Sequence, residues 1–84
     1  MQATAFPNPF SASSGFNVNA GGGTPPFTGA AFPSPPNPPG VQVTQGTPIH
    51  VSVPEDTPMG TRVWILVCDQ SNPPQTAMVS STVG

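Results

Sequence analysis

Alternation of apolar and polar residues is clearest in the second half of the chain. The segments "VQVTQ" and "PIHVSV" both alternate, and the second places Ile49, Val51 and Val53 on one face. Period-two alternation is typical of a half-buried β-strand. Only residues 46 and 47 separate the two segments, so the pattern predicts an antiparallel hairpin closed by a tight turn at residues 45–47.

A third segment, "TRVWILVC" at residues 61–68, is apolar on both faces of the predicted strand. One face carries Val63, Ile65 and Val67, and the other carries Trp64, Leu66 and Cys68. A strand with one face in water would alternate instead. The second apolar face therefore needs a cover from outside the sheet, which could be the first 40 residues, a second copy of the chain or a larger partner.

A turn at "DQSNPP" and a weaker final strand at "TAMVSSTV" complete this half of the chain. We predict that residues 41–84 form a small β domain with about four strands. The predicted arrangement is a mostly antiparallel β-meander or one half of a sandwich. The fold class is therefore mostly β.

The first 40 residues follow a different pattern and contain no charged side chain. Their five phenylalanines fit neither a helical nor a strand period. Proline and glycine fill the intervening segments, as in "AGGGTPP" and "PSPPNPPG". We predict that residues 1–40 form an extended arm without regular secondary structure. We expect this arm to act as a strap that runs across neighbouring subunits of a larger assembly. The partner-binding residues are then the five rings of the arm and two side chains of the β domain: Phe6, Phe10, Phe16, Phe27, Phe32, Trp64 and Leu66.

Composition makes self-association or binding to another protein the expected behaviour. The 84 residues include 14 prolines and 9 glycines, but only one basic and three acidic side chains. So few charges give little repulsion between copies. Nucleic-acid binding requires several basic side chains, so nucleic acid is not an expected partner. The short β half has no disulfide or metal motif to stabilise it, which favours a homo-oligomer.

Targeting signals are not evident in the sequence. "MQATAFPNPF" lacks the basic start and the apolar core of a secretory signal peptide. No apolar run approaches the roughly 18 residues of a membrane-spanning helix. The single cysteine, Cys68, cannot form an internal disulfide. We expect synthesis in a reducing cytoplasm and no membrane partner.

Catalytic residue types are few and dispersed. His50 and Cys68 could form a base and nucleophile pair if the second and third strands of the β half paired. No third orienting group and no recognisable oxyanion-hole, zinc or phosphate-binding motif accompanies them. We expect a non-enzymatic protein without cofactor, metal or small-molecule substrate, in which Cys68 is a small hydrophobic residue.

The segment "VSVPEDTPMGTRVWILVCD", residues 51–69, resembles the opening of cadherin-type repeats, where two strands flank a Pro-Glu turn and a Pro-x-Gly-Thr. The resemblance covers 19 residues and implies a calcium ligand at Glu55. The later acidic motifs of such repeats have no counterpart here. A calcium-dependent adhesion fragment remains an alternative, as does a solvated turn at Glu55 and Asp56.

A compact β domain joined to an uncharged, proline-rich arm also resembles the small cement or decoration proteins of viral capsids. This resemblance is one of architecture and carries no motif. It implies a structural subunit, often a trimer, that is made in the host cytoplasm and located on the virion surface. Its partner would be the major capsid protein or another lattice-forming protein. The alternative is a self-polymerising filament or tail-tube subunit that exchanges its arm or a strand.

Overall fold

Seven β-strands in two sheets form the fold. The structure is a computed structural model that describes residues 1–33 and 37–84. The strands are β1 Gln2–Phe6, β2 Phe16–Gly21, β3 Thr28–Ala31, β4 Gln42–Thr44, β5 Ile49–Ser52, β6 Arg62–Cys68 and β7 Thr76–Thr82. One sheet has the order β1-β2-β5-β4 and the other β3-β6-β7. All neighbouring strands within the two sheets are antiparallel.

The two sheets pack face to face around one hydrophobic core. Both sheets contribute fully buried side chains to it, chiefly Phe16, Val18, Ile49 and Val51 from the first and Val63, Ile65, Val67 and Val79 from the second. The strand order is that of strands A-B-E-D and C-F-G in the constant-type immunoglobulin sandwich. A shared strand order describes architecture and assigns no activity.

Gly29 of β3 allows the sheets to approach closely. A Cβ atom at this position would lie 3.2 Å from Ile49 Cγ2 of the opposite sheet and 3.5 Å from Ile65 Cγ2. A larger residue would have to push these side chains apart, and a tightly packed core resists such a change. The absence of a side chain at Gly29 therefore allows the two sheets to pack closely.

Much of the predicted β half is confirmed. β4 and β5 pair antiparallel as the expected hairpin, and β6 and β7 pair over seven residues. The three inward side chains of β6, Val63, Ile65 and Val67, are completely buried. The predicted meander is wrong, however, because β5 and β6 lie in different sheets. β6 does not pair with β5 as the next strand of the same sheet. Its apolar inner face packs on the opposite sheet, which contains β5.

The predicted extended arm is also corrected, because residues 1–40 contain three of the seven strands. β2 does alternate, with Phe16 and Val18 buried and Asn17 and Asn19 facing outward. β1 and β3 are built mainly from alanine, glycine and threonine, which give little periodic signal. Every proline in the described ranges lies between strands, so the high proline content is compatible with a β-sheet fold.

The first ten residues contact both sheets. β1 pairs with β2, and Phe10 then forms a parallel bridge with Val83 just beyond β7. The Phe10 N–H donates to the carbonyl of Thr82 at 2.9 Å. The buried Ser81 hydroxyl donates to the carbonyl of Pro7, also at 2.9 Å. The segment predicted to be a free strap thus closes one side of the sandwich.

Phe16→Ala tests whether this half of the chain belongs to the core. The ring is 1% exposed and lies 4.7 Å from the Phe10 ring, centroid to centroid. We expect the substitution to lower the free energy of unfolding by about 3–5 kcal/mol. Phe6→Ala is the matched control, because Phe6 is 70% exposed and should change stability by less than about 0.5 kcal/mol. Equal losses in urea unfolding of the two variants would contradict the assignment.

Candidate functional site

The seven side chains predicted to bind a partner separate into three groups. Phe10 and Phe16 are buried in the core and contact each other. Phe27 is half-buried and packs against the core, whereas Phe6 is exposed on the outer face of the four-stranded sheet. The first three rings stabilise the chain's own fold, so they are not free to anchor it to another protein.

The remaining three predicted residues, Phe32, Trp64 and Leu66, come together on the outer face of the three-stranded sheet. We call this surface the Leu66 face and define it by Ala30, Phe32, Pro33, Trp64, Leu66 and Met78. A groove of about 200 Å³ on it is lined by Ala30, Ala31, Phe32, Pro33 and Leu66. The sequence pattern indicated part of this face, because the outer side of β6 is apolar.

A cross-strand row forms the centre of the Leu66 face. Leu66 of β6 lies opposite Ala30 of β3 on one side and opposite Met78 of β7 on the other. Met78 is 56% exposed, which is high for a large apolar side chain in a strand. Sequence analysis missed Ala30 and Met78, because neither lies in a strongly periodic segment and only strand register places them beside Leu66.

Two further contacts hold this face in shape. The Asn37 amide donates to the carbonyls of Phe32 and Trp64 and accepts from the Trp64 N–H, with donor–acceptor distances of 2.7–3.0 Å. Asn37 is 2% exposed, so these bonds are shielded from water. The Arg62 guanidinium carbon lies 5.5 Å from the centre of the Trp64 ring. This cation–π contact is the one place where a charge meets the face.

The outer face of the four-stranded sheet has the opposite character. Its side chains are mainly amides and hydroxyls: Gln2, Thr4, Asn17, Asn19, Gln42, Thr44, His50 and Ser52, with Phe6 at the end of β1. His50 Nδ1 lies 2.8 Å from the Asn17 side-chain oxygen, within a cross-strand pair. One outer face is therefore polar throughout, whereas the other combines the apolar Leu66 face with the outward hydroxyls of Thr28, Thr76, Ser80 and Thr82.

His50 and Cys68 are not brought together. His50 lies on the outer face of the four-stranded sheet, and Cys68 lies on the outer face of the other sheet. The core separates the two faces, so the base and nucleophile pair that adjacent strands would have allowed is not formed. The reason is again that β5 and β6 belong to different sheets.

Asp69, directly after β6, is the most heavily hydrogen-bonded side chain among the described residues. Its carboxylate accepts four bonds of 2.7–3.0 Å, from the N–H groups of Thr24, Ser71 and Gln75 and from the Ser71 hydroxyl. Burial disfavours the charged form and so raises the pKa of Asp69. The four hydrogen bonds outweigh burial and hold the pKa well below its usual range.

The Asp69 cluster ties two loops together, and Gly23 makes room for it. A Cβ atom at Gly23 would lie 2.5 Å from Asp69 Oδ2 and 3.2 Å from Asp69 Cβ. The loop from β6 to β7 is thereby fixed to the loop from β2 to β3. The sequence pattern does not indicate this cluster, because Thr24 and Asp69 are separated by 45 residues.

The arrangement of acidic groups does not produce a calcium site from the segment that resembles a cadherin repeat. Glu55 and Asp56 are exposed in the loop before β6, whereas Asp69 follows its far end. Both Asp69 oxygens already accept hydrogen bonds, which leaves them poorly disposed to bind a cation. Within residues 1–33 and 37–84, no three His, Cys, Asp or Glu side chains group as metal ligands would.

Gln45 occupies the open edge of β3. Its side-chain oxygen accepts from the Gly29 N–H at 2.9 Å, and its side-chain nitrogen donates to the Gly29 carbonyl at 2.7 Å. One amide side chain thus takes the position of a neighbouring strand. Exposed strand edges promote unwanted pairing between chains, so this contact protects the sheet.

No protein-family model, no curated protein sequence and no solved structure matches this chain. In the part of the chain that the structure describes, no helix is long and apolar enough to cross a membrane.

Asp69→Asn should weaken the fold and change its dependence on pH. A carboxylate with a lowered native pKa stabilises the fold above its unfolded pKa, about 3.9, and this contribution is lost as pH falls towards the native pKa. We expect the variant to melt at a lower temperature at pH 7 and to lose less stability than the parent below about pH 4. Asp56→Asn, at an exposed turn, is the control, and parallel melting curves for Asp69→Asn and the parent would contradict the role of the cluster.

Gln45→Ala should uncover the edge of β3. The buried Gly29 N–H and carbonyl would lose their side-chain partner, at a cost of about 1–3 kcal/mol for an unsatisfied group. We expect a lower unfolding midpoint in urea and faster aggregation, followed by light scattering. Gln42→Ala on the edge strand β4 is the control. If both variants aggregate at the parent's rate, Gln45 does not protect this edge.

Proposed function

We propose that this protein is a non-enzymatic structural subunit that acts by assembling with other protein surfaces. The observation that carries the proposal is the Leu66 face, an apolar surface with its own groove on a small sandwich whose other outer face is polar. Exposed apolar patches of this kind mark sites of protein–protein contact in soluble proteins. The outer face of the four-stranded sheet carries mainly amides and hydroxyls, as expected for a surface in contact with water.

Charge supports an assembly role. The chain has a formal net charge of −2 with only one basic side chain, so copies packed at high density repel each other weakly. Asp69, one of its three acids, is buried and hydrogen-bonded within the fold. A subunit present at many equivalent positions of a lattice benefits from such neutrality.

The setting that we propose is the surface of a viral capsid, with the major capsid protein or another lattice-forming protein as partner. The support is the combination of low charge and a β-sandwich with an apolar groove on one outer face. The mechanism differs from the strap expected from the sequence, because Phe10 and Phe16 are used in the core. Attachment would occur through the surface of a folded module.

Growth into a filament by strand exchange is a less favoured function. Gln45 covers the edge of β3, and Phe10 pairs with Val83 just beyond the end of β7. Both contacts would have to break before a strand from another copy could pair there. Calcium-dependent adhesion is less favoured because Glu55 and Asp69 lie at opposite ends of β6.

Density-gradient fractionation of the cells that produce the protein tests the proposed function. We expect the chain to migrate with intact particles, at a constant ratio to their lattice protein. Leu66→Ser should shift the chain towards the free fraction by removing apolar contact area. Thr4→Ser, on the polar face, should leave the distribution unchanged and is the control.

Two results would overturn the proposal. The first is a wild-type chain that stays in the free fraction at every particle concentration. The second is purified protein that elongates into filaments on its own. A melting temperature lowered by EDTA would instead support the calcium-dependent alternative. Each result follows from a measurement on the full chain.

A further inference from the structure

We propose that the outer face of the four-stranded sheet binds an uncharged carbohydrate chain. The binding site, which we call the Asn19 site, lies on β1 and β2 and is defined by Gln2, Thr4, Phe6, Asn17 and Asn19. This function is additional to the proposed one, because the Leu66 face lies on the other sheet. A chain seated through the Leu66 face would leave the Asn19 site open to a ligand.

Strand register places the side chains of the Asn19 site beside each other. Phe6 lies opposite Asn17, and Thr4 lies opposite Asn19. Outward side chains on one strand repeat every two residues, about 6.6 Å apart, and neighbouring strands lie about 4.8 Å apart. His50 of β5 lies opposite Asn17, and its Nδ1 atom is 2.8 Å from the Asn17 side-chain oxygen. This contact holds the Asn17 amide in one orientation, so part of the site is organised before a ligand binds.

Two hollows in the surface meet at Asn19. The first has a volume of about 190 Å³ and is lined by Gln2, Ala3, Thr4, Asn19, Ala20 and Gly21. The second has a volume of about 50 Å³ and lies between Asn19 and the turn at residues 46–48. Gly21 lies opposite Gln2 and has no side chain, so nothing from that position fills the first hollow. The sheet is therefore concave where its amides and hydroxyls are exposed, as ligand sites are.

Three polar side chains of the Asn19 site are not used by the fold. The amides of Asn37 and Gln45 bind backbone groups, so they are already engaged. The hydrogen bonds of residues 1–33 and 37–84 include none from the exposed side chains of Gln2, Thr4 or Asn19. An amide carries two donor hydrogens and an acceptor oxygen, and a hydroxyl both donates and accepts. The site therefore offers donors and acceptors side by side.

Charge narrows the class of ligand. β1, β2, β4 and β5 carry no Asp, Glu, Lys or Arg side chain. A nucleic acid or an anionic polysaccharide would lose water here without meeting a positive charge. About a quarter of the residues of an average soluble protein are charged, so most protein surfaces would also bury unpaired charges against this face. Carbohydrate hydroxyls donate and accept hydrogen bonds without charge, which matches the amides and hydroxyls of the Asn19 site.

Phe6 adds an apolar surface to the site. Its ring is 70% exposed, although its neighbours on the face are amides and hydroxyls. The faces of a sugar ring carry C–H groups, and its edges carry hydroxyls. The electron-rich face of an aromatic ring attracts such C–H groups. A sugar stacked on Phe6 thus brings its hydroxyls towards Thr4, which lies about 6.6 Å away along β1.

Binding of the purified full chain to immobilised oligosaccharides tests the proposal. The probes are uncharged oligomers of glucose, mannose, galactose and N-acetylglucosamine, together with sulfated and sialylated oligosaccharides. We expect an uncharged probe to bind and its sulfated form to bind no more tightly. In an NMR titration of the isotope-labelled chain, the probe that binds should shift the amide resonances of β1 and β2.

Phe6→Ala supplies the second arm of the experiment. We expect this variant to raise the dissociation constant for the bound probe by about tenfold or more. Met59→Ala is the matched control and should bind like the wild type, because Met59 is 79% exposed but lies in the loop before β6. Phe6→Trp keeps an aromatic surface and should retain binding. Circular dichroism and thermal melting check that each variant is folded.

Four results would overturn the inference. They are no binding of any uncharged probe at millimolar concentration, binding of charged probes alone, resonance shifts confined to the Leu66 face, and equal affinities of Phe6→Ala and Met59→Ala. A chain that binds a carbohydrate and never enters particles would refute the proposed function alone. A chain that migrates with particles and binds no carbohydrate would refute this inference alone.

Discussion

Burial of one face of β6 against the opposite sheet is the constraint on which the rest of the structure depends. Val63, Ile65 and Val67 have no exposed surface and belong to one core together with Phe16 and Val51 of the opposite sheet. Phe16 comes from the proline-rich half of the chain, so that half cannot be detached from the core. The hydrophobic contact between the sheets therefore also orders the segments that, by composition, resemble a disordered tail.

Sequence patterns predicted the strands that alternate and missed those whose burial depends on distant partners. β4 and β5 were predicted from period-two alternation, and β6 from its two apolar faces. The inner face of β6 packs on the opposite sheet, whereas the cover expected over its second face, with Trp64 and Leu66, stays a prediction. The source of that cover was one of three open possibilities. β3 has a glycine at the point where Ile49 and Ile65 lie close, and closeness of that kind cannot be read from local sequence.

The candidate site could be predicted in part for the same reason. Trp64 and Leu66 were identified because they form the second apolar side of a strong strand. Phe10 and Phe16 were assigned to a partner, although the same hydrophobic driving force places them inside. Met78 and the Asp69 cluster depend on register and on contacts between loops, which only the folded chain defines.

The edge of β3 and the outer face of its sheet differ in how far other residues cover them. At the edge of β3, the Gln45 amide occupies the backbone N–H and carbonyl of Gly29, which could otherwise pair with another chain. On the Leu66 face, no residue in the ranges 1–33 and 37–84 makes a comparable contact across the row Ala30–Leu66–Met78. Protection of an edge prevents open-ended growth, whereas an apolar face can pair with one partner and then be satisfied. The Gln45 contact therefore favours contact through the face of this sheet over pairing at the β3 edge.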